Sequence, residues 1–173
     1  MSNSVFQDKL NIPSTQDLNE EFKNIMDQGN HAIGMIGSKD LSMSQIKIIE
    51  MIAFGLASCG NSLITSGGYC GTNYATIKGS LRANPEKLKV ILPQTISQQI
   101  KEVQDQLIGV KNIIEHPERE QMLLSDASRL CNREIVNECQ QLICFLYRDS
   151  NTLLDAINFA HNSNKVVTMF YLD

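Results

Sequence analysis

Short apolar runs alternate with amphipathic stretches along most of this chain, and that alternation leaves few folds open. Residues 31–37, His-Ala-Ile-Gly-Met-Ile-Gly, form a compact apolar run that ends in glycine. Ser42 and Gln45 have the spacing of a capping box, and Ile46, Ile49, Ala53 and Leu56 then recur at helical intervals as far as Gly60. Residues 62–66 read as a second strand, Gly67, Gly68 and Gly71 as a loop, and residues 72–81 as a helix. Asn84-Pro85 marks a turn before a third strand at 89–93. Thr95 and Gln98 repeat the capping-box spacing, and Ile96, Ile100, Val103, Leu107 and Val110 make one apolar stripe, which predicts a single helix. Residues 112–115 are a short fourth strand, 117–121 an acidic loop, 124–139 a helix, and 141–147 a fifth strand. Ser150 caps a helix through Ala160, and residues 165–171 are the last strand.

Repeated strand–helix units imply right-handed crossovers, hence a three-layer α/β domain: a mostly parallel sheet with helices on both faces. Residues 1–30 stand apart as an N-terminal extension, and 31–173 form the domain. Within the extension, Ser14 precedes Leu18, Phe22, Ile25 and Met26, a pattern that predicts one amphipathic helix packing on the sheet or on a partner. At 173 residues, 42% hydrophobic and 20% charged, the chain has globular rather than disordered composition. Fifteen basic against nineteen acidic residues give a net charge of −4. That excludes a generally basic coat, so any polyanion has to be held by a local patch. No apolar run reaches membrane-spanning length; the densest, 46–56, is broken by Lys47 and Glu50. The first residues lack a basic stretch followed by an apolar one, so no secretory signal is expected. The five cysteines include no CxxC pair, and the three histidines are scattered. Free thiols in a reducing, cytoplasmic setting follow, with no metal site and no cofactor expected.

In an open parallel sheet, ligands bind beyond the carboxyl ends of the strands, where the strand order reverses. Those ends carry Gly37-Ser38-Lys39 after the first strand and Ser66-Gly67-Gly68-Tyr69-Cys70-Gly71-Thr72 after the second. Glycines let a backbone approach phosphate, a helix start offers free N–H groups, and small hydroxyls add donors. The bland alternative is a pair of tight strand-to-helix turns that bind nothing. The loop is neither GxGxxG nor GxxxxGK[ST], which disfavours a dinucleotide dehydrogenase or a P-loop nucleotidase. Arg133, beside Asn132 on the helix before the fifth strand, is a candidate phosphate clamp; the alternative is an ion pair on the helix surface. Lys78, Arg82, Lys87 and Lys89 make the one basic stretch, read either as a solvated face or as a track for a nucleic-acid backbone. Cys70 has no histidine placed in sequence to assist it, and Ser66 lacks a GxSxG elbow, so no catalytic residue is assigned.

These motifs, in this order, resemble the Rossmann-like core of the DNA-processing protein A (Smf) family. That family lies within a wider superfamily that includes the LOG-type nucleotide hydrolases. Gly37-Ser38-Lys39 is similar to the family's G-S-R, and Ser66 to Leu81 to its S-G-G-A-x-G-I-D-x-x-A-H-x-G-A-L. Cys131-Asn132-Arg133-Glu134-Ile135 is similar to its R-N-R-x-I, and the serine-bearing helix start at 149–153 resembles a later family motif. The chain departs from the pattern at Lys39, Asn73, Ile77 and Cys131, and has Ala75 where the LOG-type motif carries glutamate.

The resemblance implies a Rossmann-like fold and a non-catalytic recombination mediator of the kind active in transformation. Such a protein binds single-stranded DNA, forms a homodimer, and partners a RecA-type recombinase. The contacts carried over are Gly37, Ser38, Lys39, Ser66, Gly67, Gly68, Gly71, Thr72, Asn73, Asn132 and Arg133, with Lys78 and Arg82 as a possible DNA track. The alternative is a small-molecule nucleotide-binding or nucleotide-processing domain that uses the same crevice.

Overall fold

The computed structural model describes residues 30–148 and 150–172; the amphipathic pattern at 14–26 lies outside them. Six strands, β1 (Ala32–Gly37), β2 (Ser62–Ser66), β3 (Leu88–Ile91), β4 (Asn112–Ile114), β5 (Gln141–Leu146) and β6 (Val166–Tyr171), form one sheet in the order β4-β3-β2-β1-β5-β6. Every neighbouring pair is parallel. The chain therefore builds outward from β1 to β4, then returns to the other side of β1 for β5 and β6.

The helices are α1 (Met43–Ser58), α2 (Gly71–Ala83), α3 (Lys101–Leu107), α4 (Leu124–Glu138) and α5 (Asn151–Asn162). Ile46, Ile49 and Ala53 of α1 and Ala75 of α2 pack on Ile33, Met35, Leu63, Ile143 and Phe145. On the same face, Ile77 of α2 and Val103 and Leu107 of α3 cover Leu88, Val90 and Leu92. Cys131, Ile135, Ala156 and Ile157 of α4 and α5 pack on Ile36, Ile64, Ile91, Leu142 and Cys144 on the opposite face. Side chains alternate between faces along a strand, so apolar residues at consecutive positions of β1 and β5 feed both cores.

The capping chemistry is as expected at α1, where Ser42 accepts from the Gln45 N–H and the Gln45 side chain reaches back to the Ser42 N–H. Gly60 leaves that helix at φ +90°. Ser150 caps α5 by accepting from the Leu153 N–H. The stripe from Ile96 to Val110 does not form one helix. Residues Ile96–Gln98 make a single 3₁₀ turn, Gln99 and Ile100 are extended, and α3 starts only at Lys101. The Thr95 side chain makes no cap; its hydroxyl donates to Glu120 Oε1 at 2.6 Å instead.

Candidate functional site

The strand order reverses between β1 and β5, and the loops leaving their carboxyl ends part there into a cleft of ≈ 770 Å³. This is where an open parallel sheet has room for a ligand, and the volume lies in the range of small-molecule pockets. Of the residues singled out from the sequence, Gly37, Ser38, Lys39, Ser66, Gly67, Gly68, Thr72, Asn73 and Asn132 line it. The two glycine-bearing turns thus converge on one space.

Their glycines serve the protein's own packing first. A Cβ on Gly37 would meet the Phe145 carbonyl oxygen at 2.4 Å and Thr72 Oγ1 at 2.5 Å. Gly71, at φ +69°, would meet the Lys39 carbonyl oxygen at 2.4 Å, and Gly67 would press on Leu92. The hydroxyls are engaged too. Thr72 donates through both its N–H and its Oγ1 to the Ser38 carbonyl, at 3.0 and 3.1 Å. Ser38 Oγ accepts from the Tyr147 N–H at 2.8 Å and donates to the Tyr147 carbonyl at 3.1 Å. Asn73 ties the glycine loop by donating to the Gly67 carbonyl at 3.3 Å. No side chain caps the start of α2, so that helix end keeps its positive pole towards the loop.

Two cations line the cleft: Lys39 after β1 and Arg148 after β5. Among the described residues neither has a carboxylate within ion-pair distance, and each lies on a tyrosine. Lys39 Nζ is 4.5 Å from the Tyr69 ring centre, and the Arg148 guanidinium is 5.2 Å from that of Tyr147. Hydrogen bonding to the Tyr69 side chain holds the Lys39 ammonium above the ordinary lysine pKa, against the opposing effect of burial. Arg148 sits at φ +68°, an uncommon backbone region for a residue with a side chain, immediately after the Ser38–Tyr147 tie.

Asp40, next to Lys39 in the chain, is the carboxylate of the described lining, and its charge adds to the rise of the Lys39 pKa. Most of the polar side chains in the rest of the wall are uncharged. Gln98, Gln99, Ser125, Ser128, Asn132 and Thr152 present amides and hydroxyls. Gln94, also in the lining, donates its side-chain amide to the carbonyls of Arg119 at 3.0 Å and Met122 at 3.1 Å, which fixes the segment before α4 against the cleft. That segment is anchored from below as well. His116 Nε2 and Arg119 Nη2 both reach Glu134 Oε2, at 2.9 and 3.1 Å.

The other basic candidates are placed elsewhere. Arg133 does not line the cleft; its Nε and Nη2 donate to the two oxygens of Asp155 at 3.1 and 2.9 Å, and it stacks over Phe159. That pairing lowers the Asp155 carboxyl and raises Arg133. Gly71 lies behind the loop rather than in the lining. Lys78 and Arg82 turn to Glu50 of α1, at 3.7 and 2.5 Å, a carboxylate only 3% exposed. Burial pushes Glu50 up, but the Arg82 hydrogen bond and the Lys78 charge outweigh it, and its pKa ends below the usual value. Lys87 donates to Asn30 Oδ1, and Lys89 pairs with Glu138 at 2.5 Å. The basic stretch of the sequence is therefore a set of internal ties.

Cys131, whose position carries an arginine in the family pattern, is buried. Its Sγ lies 3.1 Å from the Ile91 carbonyl, and burial pushes the thiol up to about 12. Among the described residues, no group of three histidine, cysteine or acidic side chains is arranged to hold a metal ion. No described helix is long and apolar enough to cross a membrane.

No protein-family model matches the chain, and no curated protein sequence does. Solved structures do. The molybdenum cofactor binding protein of the phototrophic bacterium Rippkaea orientalis is similar over 83% of this chain and 78% of its own, at TM-score 0.63 and 18% identity. DNA processing protein A of Helicobacter pylori, described for its single-stranded DNA binding mode, is similar over 84% of this chain and 67% of its own, at TM-score 0.67 and 16% identity. The Moco carrier protein of Chlamydomonas reinhardtii is similar over 81% and 76%, at TM-score 0.58 and 16% identity. All share one Rossmann-like fold. The DNA-processing protein A resemblance fits that fold, and so do proteins that carry a small cofactor.

Proposed function

We propose that this chain binds a small phosphate-bearing ligand of nucleotide size in the cleft between the β1, β2 and β5 loops, and that it acts as a binding protein. The observation that carries this reading is the division of charge. The only described cations lining the cleft are Lys39 and Arg148; among the described residues neither forms an ion pair, each lies on a tyrosine, and Asp40 is the carboxylate that shares the lining with them. The cations a long polyanion would need, Lys78, Arg82, Lys89 and Arg133, are paired within the fold. Two cations and an uncapped helix start suit one phosphate group, and the neutral amide wall suits the polar edges of a heterocycle.

The test is a thermal-shift and calorimetric screen with nucleoside mono- and diphosphates at low salt. A raised melting temperature that disappears in the Lys39→Ala/Arg148→Ala double variant supports the reading. A flat response to the whole panel rejects it.

Single-stranded DNA binding, as in the Helicobacter pylori protein, is the second reading. Tyr69 favours it: the ring is 43% exposed at the cleft rim, above Lys39, where a base could stack. Fluorescence anisotropy with oligo-dT tests it. Two cleft cations call for a shallow salt dependence, because each neutralised phosphate contributes a slope of about 0.7 on a log–log plot. Dimerisation and a RecA-type partner belong to this second reading and stand or fall with it.

A further inference from the structure

A second cavity, of ≈ 510 Å³, adjoins the cleft. Lys39, Asp40, Cys70 and Tyr147 line both spaces, so the two share one wall. Leu41, Ser42 and Gln45, at the start of α1, line the second cavity and not the cleft. The two differ in charge. Arg148 lines only the cleft, whereas the second cavity has Lys39 as its one cation among the described residues and sets Asp40 beside it. Asp40 is exposed, and among the described residues it takes part in no hydrogen bond and no ion pair. An ionised carboxylate can only accept hydrogen bonds, so it calls for a ligand that donates them. The Ser42 hydroxyl accepts from the Gln45 N–H at 3.3 Å and keeps its own hydrogen to donate. Leu41 and Tyr147 add apolar surface.

This pattern selects what can lie there. A terminal phosphate carries a charge of about −2, and it would meet the Asp40 carboxylate as a like charge. A phosphate esterified on both sides carries less charge, and the group beyond it can be neutral. A diphosphate esterified at both ends has one charge on each phosphate, which Lys39 and Arg148 balance. A sugar beyond it supplies hydroxyls that donate to Asp40 and accept from Ser42, and C–H surface for Leu41 and Tyr147. Resting on the nucleotide reading of the cleft, we infer that the ligand continues past its phosphates into the second cavity, where Asp40 binds a sugar. The ligand class is then a nucleoside diphosphate sugar.

Calorimetry of the full chain with two matched pairs tests this: ADP against ADP-glucose, and UDP against UDP-glucose. Two bases keep the base preference of the cleft from deciding the outcome. The sugar nucleotide carries less charge than the free diphosphate, so a site that reads charge alone prefers ADP or UDP. The inference expects the reverse, with the sugar nucleotide of at least one pair about tenfold tighter, the worth of one hydrogen bond to a charged group. Asp40→Ala removes an acid next to Lys39, which by charge alone strengthens the binding of every anion. The inference expects that variant to bind the preferred sugar nucleotide about tenfold more weakly than wild type, and Asp40→Asn, of the same size, to weaken it too. Sugar nucleotides that bind wild type no tighter than the free diphosphates overturn the inference. So does a preference for them that Asp40→Ala leaves intact or strengthens. In either case the binding of ADP or UDP leaves the nucleotide reading of the cleft standing. No heat from any of the four ligands rejects that reading and this inference together.

Discussion

The Ser38 hydroxyl holds the Tyr147 backbone from both sides, accepting from its N–H at 2.8 Å and donating to its carbonyl at 3.1 Å. The two residues are 109 positions apart, and the tie joins the loops that leave β1 and β5, where the strand order reverses. It also fixes the residue before Arg148, whose left-handed backbone needs outside support.

Ser38→Ala should therefore affect two properties. Losing both hydrogen bonds at a buried site costs about 1–3 kcal/mol of stability, read by chemical denaturation. Ligand affinity should fall as well, although the removed hydroxyl has no free hydrogen to offer a ligand, because Arg148 loses its mooring. An unchanged affinity at reduced stability would show that the tie is purely structural.

The glycines divide into two kinds, and alanine substitution should separate them. Gly71→Ala combines φ +69° with a Cβ 2.4 Å from the Lys39 carbonyl oxygen. It should cost at least about 2 kcal/mol, a fall in Tm of about 4–8 °C for a chain this long. Gly55 sits in α1 with nothing within 4 Å of its would-be Cβ. Gly55→Ala should stabilise the protein by about 1 kcal/mol through helix propensity. Equal effects of the two substitutions would contradict this packing.

Glu50 makes stability pH-dependent in a defined direction. Its pKa in the fold lies below the usual value, with Arg82 and Lys78 as the cause that prevails over burial. The ionised carboxylate thus stabilises the fold above its unfolded pKa of about 4.3. That contribution is lost as the pH falls through the folded value. The Lys78→Ala/Arg82→Ala double variant leaves a buried carboxylate unpaired and should lose about 1–2 kcal/mol at pH 7, the partners being half-exposed. Denaturation curves should converge with wild type as the pH drops below about 4. A gap that widens in acid would reverse the assignment.

Arg133 and Arg148 provide a paired test of the cleft. Arg133 is engaged by both oxygens of Asp155. Arg133→Ala should leave ligand Kd within about twofold. Arg148→Ala should raise it about tenfold, the loss of one charge-assisted contact worth about 1.5 kcal/mol. The reverse order would mean that the Arg133–Asp155 pair opens towards the ligand.

Most of the architecture was legible because each strand is a short apolar run bounded by glycine, proline or a cap. Ser42, Gly60 and Ser150 act locally and fall where their neighbours dictate. The break at Gln99 and Ile100 was not legible. Ile96, Ile100 and Val103 keep helical spacing, yet the Thr95 hydroxyl goes to Glu120, a partner 25 residues away. For Arg133 the ion-pair alternative is the one the structure shows, but its partner was not legible, because Asp155 lies on the next helix. Arg148 carries no signal in the sequence, because its place in the cleft depends on β5 lying beside β1. The strand order was not fixed by the chain pattern alone, although the rule that sites form at carboxyl ends pointed to every loop after a strand. Gln94, which follows β3, is the same case.

The most direct test of the central claim is isothermal calorimetry of the full chain with a nucleoside monophosphate panel, with oligo-dT anisotropy run in parallel. The charge distribution calls for one ligand per chain, bound by wild type and lost in the Lys39→Ala/Arg148→Ala variant, with oligo-dT weaker and only shallowly salt-dependent. Oligo-dT binding with a salt slope of several phosphates, and no heat from any mononucleotide, would contradict it.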